Sequence, residues 1–281
     1  MRHLSIIFLA GILFSQITFA ADSWRPLFNG KDLSGWETFL SKPYQTWDVA
    51  GLKRGTNGTY LEPIGKNRDP LKVFTVETVD GQPTIHVSGQ GFGTLTTSET
   101  FTNYHLRLQM KWGEKRWPPR ANVRRDSGLL YFVYGEPGAM SGNWPHSIEF
   151  QIQEQDIGDL YPIGTHINVN VHQQTTNLWV YDPNGAPRTF EKNRRCVKMG
   201  DAEKPRGEWN TLDLICFNGD SIHIVNGQVM MRLHSAQRGD SVESVPLTTG
   251  AISLQTEGAE VFYRNVEIQP IEKAPPEFAE K

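Results

Sequence analysis

Polar and apolar residues alternate through most of this chain. His105-Leu106-Arg107-Leu108-Gln109-Met110-Lys111-Trp112 switches at every position, and Ser147–Gln153 and His166–His172 do the same. A period of two sends successive side chains to opposite faces of an extended strand. A chain built this way needs sheets with one face on a core and the other toward water, as antiparallel sheets provide. Further strands are expected at Thr84–Ser88, Leu129–Tyr134, Leu178–Tyr181, Thr211–Phe217, Ser221–Val225, Gln228–His234, Ala251–Gln255 and Val261–Ile268. Turn residues such as Asp80-Gly81 separate them, and Asn226-Gly227 has the chemistry of a type I′ hairpin. No helical period is sustained between Trp24 and Pro270, and no long repeat is present. Two antiparallel sheets packed face to face, an all-β sandwich, account for the pattern most simply.

Composition agrees with this. Among 281 residues, 26 Gly and 17 Pro suit a fold with many turns, and 38% hydrophobic residues supply a core. A formal net charge of −3 argues against a nucleic-acid binder, which gathers basic residues on one face. At the start, Met1-Arg2-His3 precedes an apolar run from Leu4 to Phe19, and Thr18-Phe19-Ala20 resembles a cleavage site. Residues 1–20 therefore read as a secretory signal peptide, with an uncleaved anchor as the alternative. The rest reads as one domain over 21–270 and a flexible tail over 271–281. No membrane span follows the leader, so a periplasmic or secreted protein is expected. Cys196 and Cys216 are the only cysteines. A bridge between them would contribute roughly 3 kcal/mol by loop closure; the alternative is that Cys216 is an ordinary buried thiol.

The sequence lacks a Walker loop, a G-x-S-x-G elbow, an H-E-x-x-H and a C-x-x-C. Gly89-Gln90-Gly91-Phe92-Gly93 precedes a strand-like run and reads as a turn. Chemistry concentrates mid-chain. Glu149, Gln151 and Gln153 share one strand face, and His166, Asn168, Asn170 and His172 share another. Planar amides and carboxylates pair with vicinal hydroxyls, and rings stack on sugar C–H faces, so these faces suit a carbohydrate. Trp112, Trp117, Tyr131, Trp144 and Trp179 are candidate rings, and a solvated outer face is the alternative. The two polar faces are expected to meet in one cleft. Loops Lys115–Arg125 and Asp182–Glu208 would carry specificity. A divalent metal is a second possibility, with His146, Glu154, Asp156, Asp159, His166 and His172 as candidate ligands in no familiar register. Arg264, placed by alternation with Phe262, Val266 and Ile268, reads first as a buried ion pair and second as a substrate contact.

Glu149 is the leading candidate for a catalytic carboxylate, as general base or as metal or hydroxyl anchor. His146 and His166 compete for the base role because imidazole titrates near neutrality. In the bland alternative, Glu149 pairs with Lys111 or Arg107 to hold the sheet.

The chain resembles the 3-keto-disaccharide hydrolase domain family. The match runs from Leu27-Phe28-Asn29-Gly30-Lys31-Asp32-Leu33-Ser34-Gly35-Trp36 through Gly93–Trp112, Asp126-Ser127-Gly128-Leu129, Ile148–Ile152 and Gly158-Asp159. It continues with Gly207-Glu208-Trp209-Asn210 and Asn226-Gly227, then Gly250–Gly258 and Tyr263-Arg264-Asn265-Val266. The resemblance implies a concanavalin A-like jelly-roll, exported by bacteria, that cleaves 3-keto-glycosides or binds glycans; a conventional glycosidase is a third reading. Asp126, Glu257 and Glu154 stand where many members have Asn, His and Asp. The substrate contacts expected are Gln151, Glu154, Asn168, Lys111, Arg107, Trp144, Glu257 and Arg264, with an oligosaccharide or glycoside as partner.

Overall fold

Alternation becomes architecture in the computed structural model, which describes residues 23–240 and 243–278. The strands are β1 (Arg25–Pro26), β2 (Trp36–Leu40), β3 (Gly65–Lys66), β4 (Phe74–Val79), β5 (Gln82–Val87), β6 (Phe92–Thr97) and β7 (Phe101–Thr102). Next come β8 (Tyr104–Arg116), β9 (Asp126–Tyr134), β10 (His146–Gln153), β11 (Leu160–Ile163), β12 (Thr165–Thr175) and β13 (Leu178–Tyr181). The last are β14 (Ala186–Phe190), β15 (Asn210–Phe217), β16 (Asp220–Val225), β17 (Gln228–Arg238), β18 (Thr249–Glu257) and β19 (Ala259–Pro270). A single 3-10 turn at Pro276–Phe278 is the one helical element among the described residues.

These strands form two antiparallel sheets. The larger runs β13-β12-β17-β16-β15-β8-β19-β5-β4, with β1 beside β19 and β14 beside β12. The smaller runs β11-β10-β9-β18-β6-β2-β3, with β7 beside β18. Their inner faces share one core, in which Ile148, Phe150 and Ile152 meet Leu106, Leu108 and Met110 as well as Ile167, Val169 and Val171. Each such side chain contributes about 1.5–3 kcal/mol when fully buried. Several polar groups inside the sandwich are paired across the sheets. The Tyr131 hydroxyl lies 2.8 Å from Ser221 Oγ and 3.0 Å from His223 Nε2, and Ser127 Oγ lies 2.8 Å from the Tyr263 hydroxyl. Burial holds the His223 pKa down at about 3, so its ring packs neutral against Phe150, at 4.2 Å between centroids.

Asn226 and Gly227 both have positive φ, 49° and 81°, and close β16 onto β17 as the type I′ turn requires. The possible disulfide is absent: Cys196 and Cys216 are separate, buried thiols. Arg264 is also corrected. A register shift between Arg264 and Glu267 leaves Tyr263 inside, with Val266 and Ile268, and turns Arg264 outward. The signal-peptide reading for residues 1–20 lies outside the described residues. Beyond β19, Ile271 and Phe278 pack on Ile215, Ile222 and Ile224, on the outer side of the larger sheet.

Candidate active site

The outer face of the smaller sheet gathers the side chains that alternation turns away from Ile148, Phe150 and Ile152. Glu149 lies opposite Tyr161 on β11 and Leu130 on β9, while Gln151 faces Gly128 and Gln153 faces Asp126. From the next strand, β18, come Gln255 and Glu257. Gly128 leaves the floor open, because a Cβ there would collide with Glu149 Oε1 and Gln255 Oε1. The result is a pocket of about 320 Å³ walled by Asp126, Glu149, Gln151, Glu257 and Tyr161, with Arg120, Trp144 and Asn193 at its sides.

Three carboxylates share this pocket with one nearby guanidinium. Arg120 Nη2 donates to Asp126 Oδ2, and its Nη1 lies 3.6 Å from Glu257 Oε1. Gln153 Nε2 donates to the same Asp126 oxygen at 2.5 Å. Asp126 Oδ1, Glu149 Oε1, Gln151 Oε1 and Gln255 Oε1 are buried with no hydrogen-bond partner. Four oxygen acceptors without donors are costly to bury, and the three carboxyls respond with raised pKa values. Burial first, then the neighbouring Glu257 and Asp126, pushes Glu149 well above the usual carboxylate range. Burial and Asp126 raise Glu257 to about 8 despite Arg120. Asp126, which burial raises and Arg120 and Gln153 lower, settles at about 6. Tyr161 is raised to about 12, chiefly by burial, so its hydroxyl remains a donor. Of the three carboxyls, Asp126 therefore ionises most readily, while Glu257 and Glu149 are pushed toward their protonated forms.

The loop carrying Arg120 is clamped from below. Glu154 accepts from Arg125 Nη1 at 2.9 Å and from the Arg125 backbone N–H at 3.0 Å, while Arg125 Nε donates to Gly113 O at 3.0 Å. Arg124 and Arg195 converge on Asp156 at 2.7 and 2.9 Å, and Arg195 also meets Asp159 at 2.5 Å. Gly258, at φ +85°, allows the Arg120 stem to approach the end of β18.

These placements divide the residues singled out from sequence. Glu149, Gln151, Trp144 and Glu257 come together. The expectation of a single cleft shared with His166 and Asn168 fails, because β12 belongs to the opposite sheet and its polar face points away from the pocket. There His166 lies 3.4 Å from Glu191, and Asn168 accepts from Thr189 at 2.7 Å. Arg107 and Lys111 also occupy that far face, on Asp213 and Asp80, so neither pairs with Glu149. Arg264 joins them, over Trp209. His146 stacks on Tyr134 and meets Gly164 O at 3.0 Å, outside the pocket wall. Glu154 serves the loop clamp rather than the pocket. Trp112 and Tyr131 are core, and Trp179 lies under Arg188 on the larger sheet. Of the six candidate metal ligands, His146 lies against Tyr134 and Gly164; Glu154, His166 and His172 sit in separate ion pairs; and Asp156 and Asp159 share Arg195. No set of three or more His, Cys, Asp or Glu among the described residues is arranged to hold a metal ion. Arg120, Tyr161 and Gln255 were not singled out as site residues. Arg120 had a signal in the basic loop, but Tyr161 and Gln255 reach Glu149 only through strand register.

Residues 23–269 match the model of the 3-keto-alpha-glucoside-1,2-lyase-like domain, and the chain belongs to that family. No curated protein matches the sequence. Among solved structures, the chain is similar to a Parabacteroides distasonis ATCC 8503 protein provisionally described as a glycosyl hydrolase. Identity is 21%, with 90% of this chain and 96% of that one covered, and the TM-score is 0.51. A Bacillus subtilis protein with a galectin-like fold aligns at 12% identity over 71% and 88% of the two chains, with TM-score 0.45. These likenesses concern the sandwich and not its chemistry.

Proposed function

We propose that this member of the 3-keto-alpha-glucoside-1,2-lyase-like family cleaves 3-keto-glycosides by proton abstraction at C2 and elimination, with or without subsequent hydration. The observation that carries the reading is the pocket itself: three carboxyls crowded into one cavity, two of them beside a single arginine. A ketone at C3 acidifies the C2–H because the electron pair left behind delocalises as an enolate. That pair then forms the C1–C2 double bond as the glycosidic C1–O bond breaks, and the departing oxygen takes a proton. Water adding across the double bond completes a net hydrolysis.

The electrostatics supports a division of labour. Asp126, the carboxyl that ionises first, takes the C2 proton through its unpartnered Oδ1. Glu257 gives a proton to the leaving oxygen, and Arg120 stabilises the carboxylate that results. Glu149 and Tyr161 donate hydrogen bonds toward the enolate oxygen, where charge develops. Sequence alone favours Glu149 as the base, but its burial beside two other acids favours the protonated form, so the base role passes to Asp126. Gln151 and Trp144 hold the ring. The leader-like segment supports an exported protein, testable by N-terminal sequencing of the mature chain.

The decisive assay incubates the purified protein with a 3-keto-disaccharide and with its unoxidised parent. Loss of the keto sugar alone supports the proposal. Binding without turnover would make the protein a carbohydrate-binding module, and cleavage of the parent would make it an ordinary glycosidase.

A further inference from the structure

A second cavity, of about 440 Å³, lies beside the carboxylate pocket and has a different character. Its walls are Tyr44, Trp47, Phe92, Pro118 and Pro119, with Lys42 at the rim. Two structural links join it to the carboxylates. Phe92 is paired with Glu257 across β6 and β18, and its ring lies 6.0 Å from that of Trp144 in the first pocket. Pro118 and Pro119 precede Arg120 directly, so one loop walls both cavities.

The aromatic wall is rigidly presented. Arg54 stacks on Tyr60 at 4.1 Å and donates to the carbonyls of Gln45 and Trp47, both at 2.5 Å, and of Gly58 at 3.1 Å. The Tyr60 hydroxyl donates to Trp47 O at 2.6 Å and accepts from Arg54 and from Val49 N–H. Thr59 Oγ1 is likewise engaged, on Asn57 at 2.7 Å. Trp47 meets Trp117 edge-on at 6.2 Å, and Tyr44 tilts against Trp47 at 5.9 Å. The Tyr60 and Thr59 hydroxyls are therefore occupied within the 42–60 loop. What faces a ligand is ring and proline surface, with the exposed side chains of Lys42 and Gln45 beyond. A second hexose would find side-chain polar partners chiefly at Lys42, Gln45 and the ring tips of Tyr44 and Trp47, whereas a flat aromatic ring needs only the stacking surface that makes up most of the wall.

We propose that this cavity is an aglycone subsite for a planar aromatic leaving group, making aryl 3-keto-glycosides the substrate class. The inference rests on reading the carboxylate pocket as the keto-sugar site. It fits the position of Glu257, on the strand pair nearest the aromatic wall, as donor to the leaving oxygen.

The test compares phenyl and methyl 3-keto-glucosides on the wild-type protein, Trp47→Ala and Tyr44→Ala, each checked for an unchanged melting temperature. Loss of a stacked ring should raise KM for the phenyl substrate about tenfold while changing the methyl substrate less than about twofold. Tyr44→Ala carries the comparison if Trp47→Ala folds poorly. Equal effects on both substrates, or none on either, overturn the subsite. If the wild type cleaves neither substrate, calorimetry with unoxidised phenyl glucoside separates the two failures. Binding that Trp47→Ala abolishes and Asp126→Asn keeps would retain the aromatic site while the cleavage reading falls. No binding to the wild type overturns the subsite.

Discussion

The outer faces of the two sheets look alike in sequence and differ in how their charges are resolved. On the larger sheet, Asp213 and Asp80 find partners. Asp213 accepts from Arg107 and meets His105, both at 2.7 Å, and although burial raises its pKa, those hydrogen bonds prevail and lower it. Lys111 meets Asp80 at 2.8 Å and, with Arg264, stacks on Trp209. On the smaller sheet, Glu149, Glu257 and Asp126 crowd one cavity with Arg120 as the cation against two of them, and four acceptor oxygens have no donor. Acids paired in this way clad the sheet. A face that leaves buried acceptors unsatisfied is poised to meet a ligand.

The largest test of this contrast is Asp126→Asn against Asp213→Asn. Removing a positioned base should lower turnover of a 3-keto-glycoside by about 10²–10⁴, whereas the far-face variant should keep wild-type turnover. Comparable losses in both would erase the distinction. Next comes the pH dependence of kcat/KM. With Asp126 near 6 and Glu257 near 8, the profile should be a bell that rises through the first value and falls through the second. Glu257→Gln should remove the alkaline limb and slow methyl glycosides more than phenyl ones, whose leaving group needs less protonation.

Stability sharpens the comparison at smaller amplitude. The Glu257 pKa is raised on folding from the ordinary 4.5 to about 8, so the folded chain holds the extra proton between those values. Its contribution is fully present below the ordinary value and is lost as pH climbs through 8. Glu257→Gln should flatten that decline and raise the melting temperature at alkaline pH, by about 2–4 °C for each kcal/mol relieved. The smallest effect belongs to Arg264→Ala. Its bond to Gln109 at 2.8 Å and its stacking on Trp209 are worth about 0.5–1 kcal/mol at a partly exposed site, a melting shift of about 1–4 °C. Sugar affinity should not change. A loss of affinity would move the far face into the binding machinery.

The strands were legible because a period of two is a property of each segment alone. So was the shared face of Glu149, Gln151 and Gln153. Alternation does not say which sheet a strand joins, and that is why His166 and Asn168 were expected beside Glu149 when β12 pairs with β17 across the sandwich. Nor does it give register. Gln255 lies close to Glu149 because Gly128 leaves a gap on the strand between them, a relation among three strands in which Gln255 lies more than a hundred residues from the other two positions. A one-residue irregularity hid the orientation of Arg264, since a bulge inverts the faces that follow it.

The positions of β18 and β19 bear on how the protein is made. β18 sits between β9 and β6 in one sheet, and β19 between β8 and β5 in the other, yet both are translated near the end of the described chain. Until they arrive, each sheet is two separate pieces with raw edges, and Arg25 must wait for its partner Ile268. Such distant pairings make folding slow and leave unpaired edges open to other chains. A nascent chain stopped before residue 249 lacks Glu257 and the interior strand that joins the two pieces of each sheet. The pocket therefore cannot close until β18 has been made, however early Asp126 and Glu149 are in place along the chain.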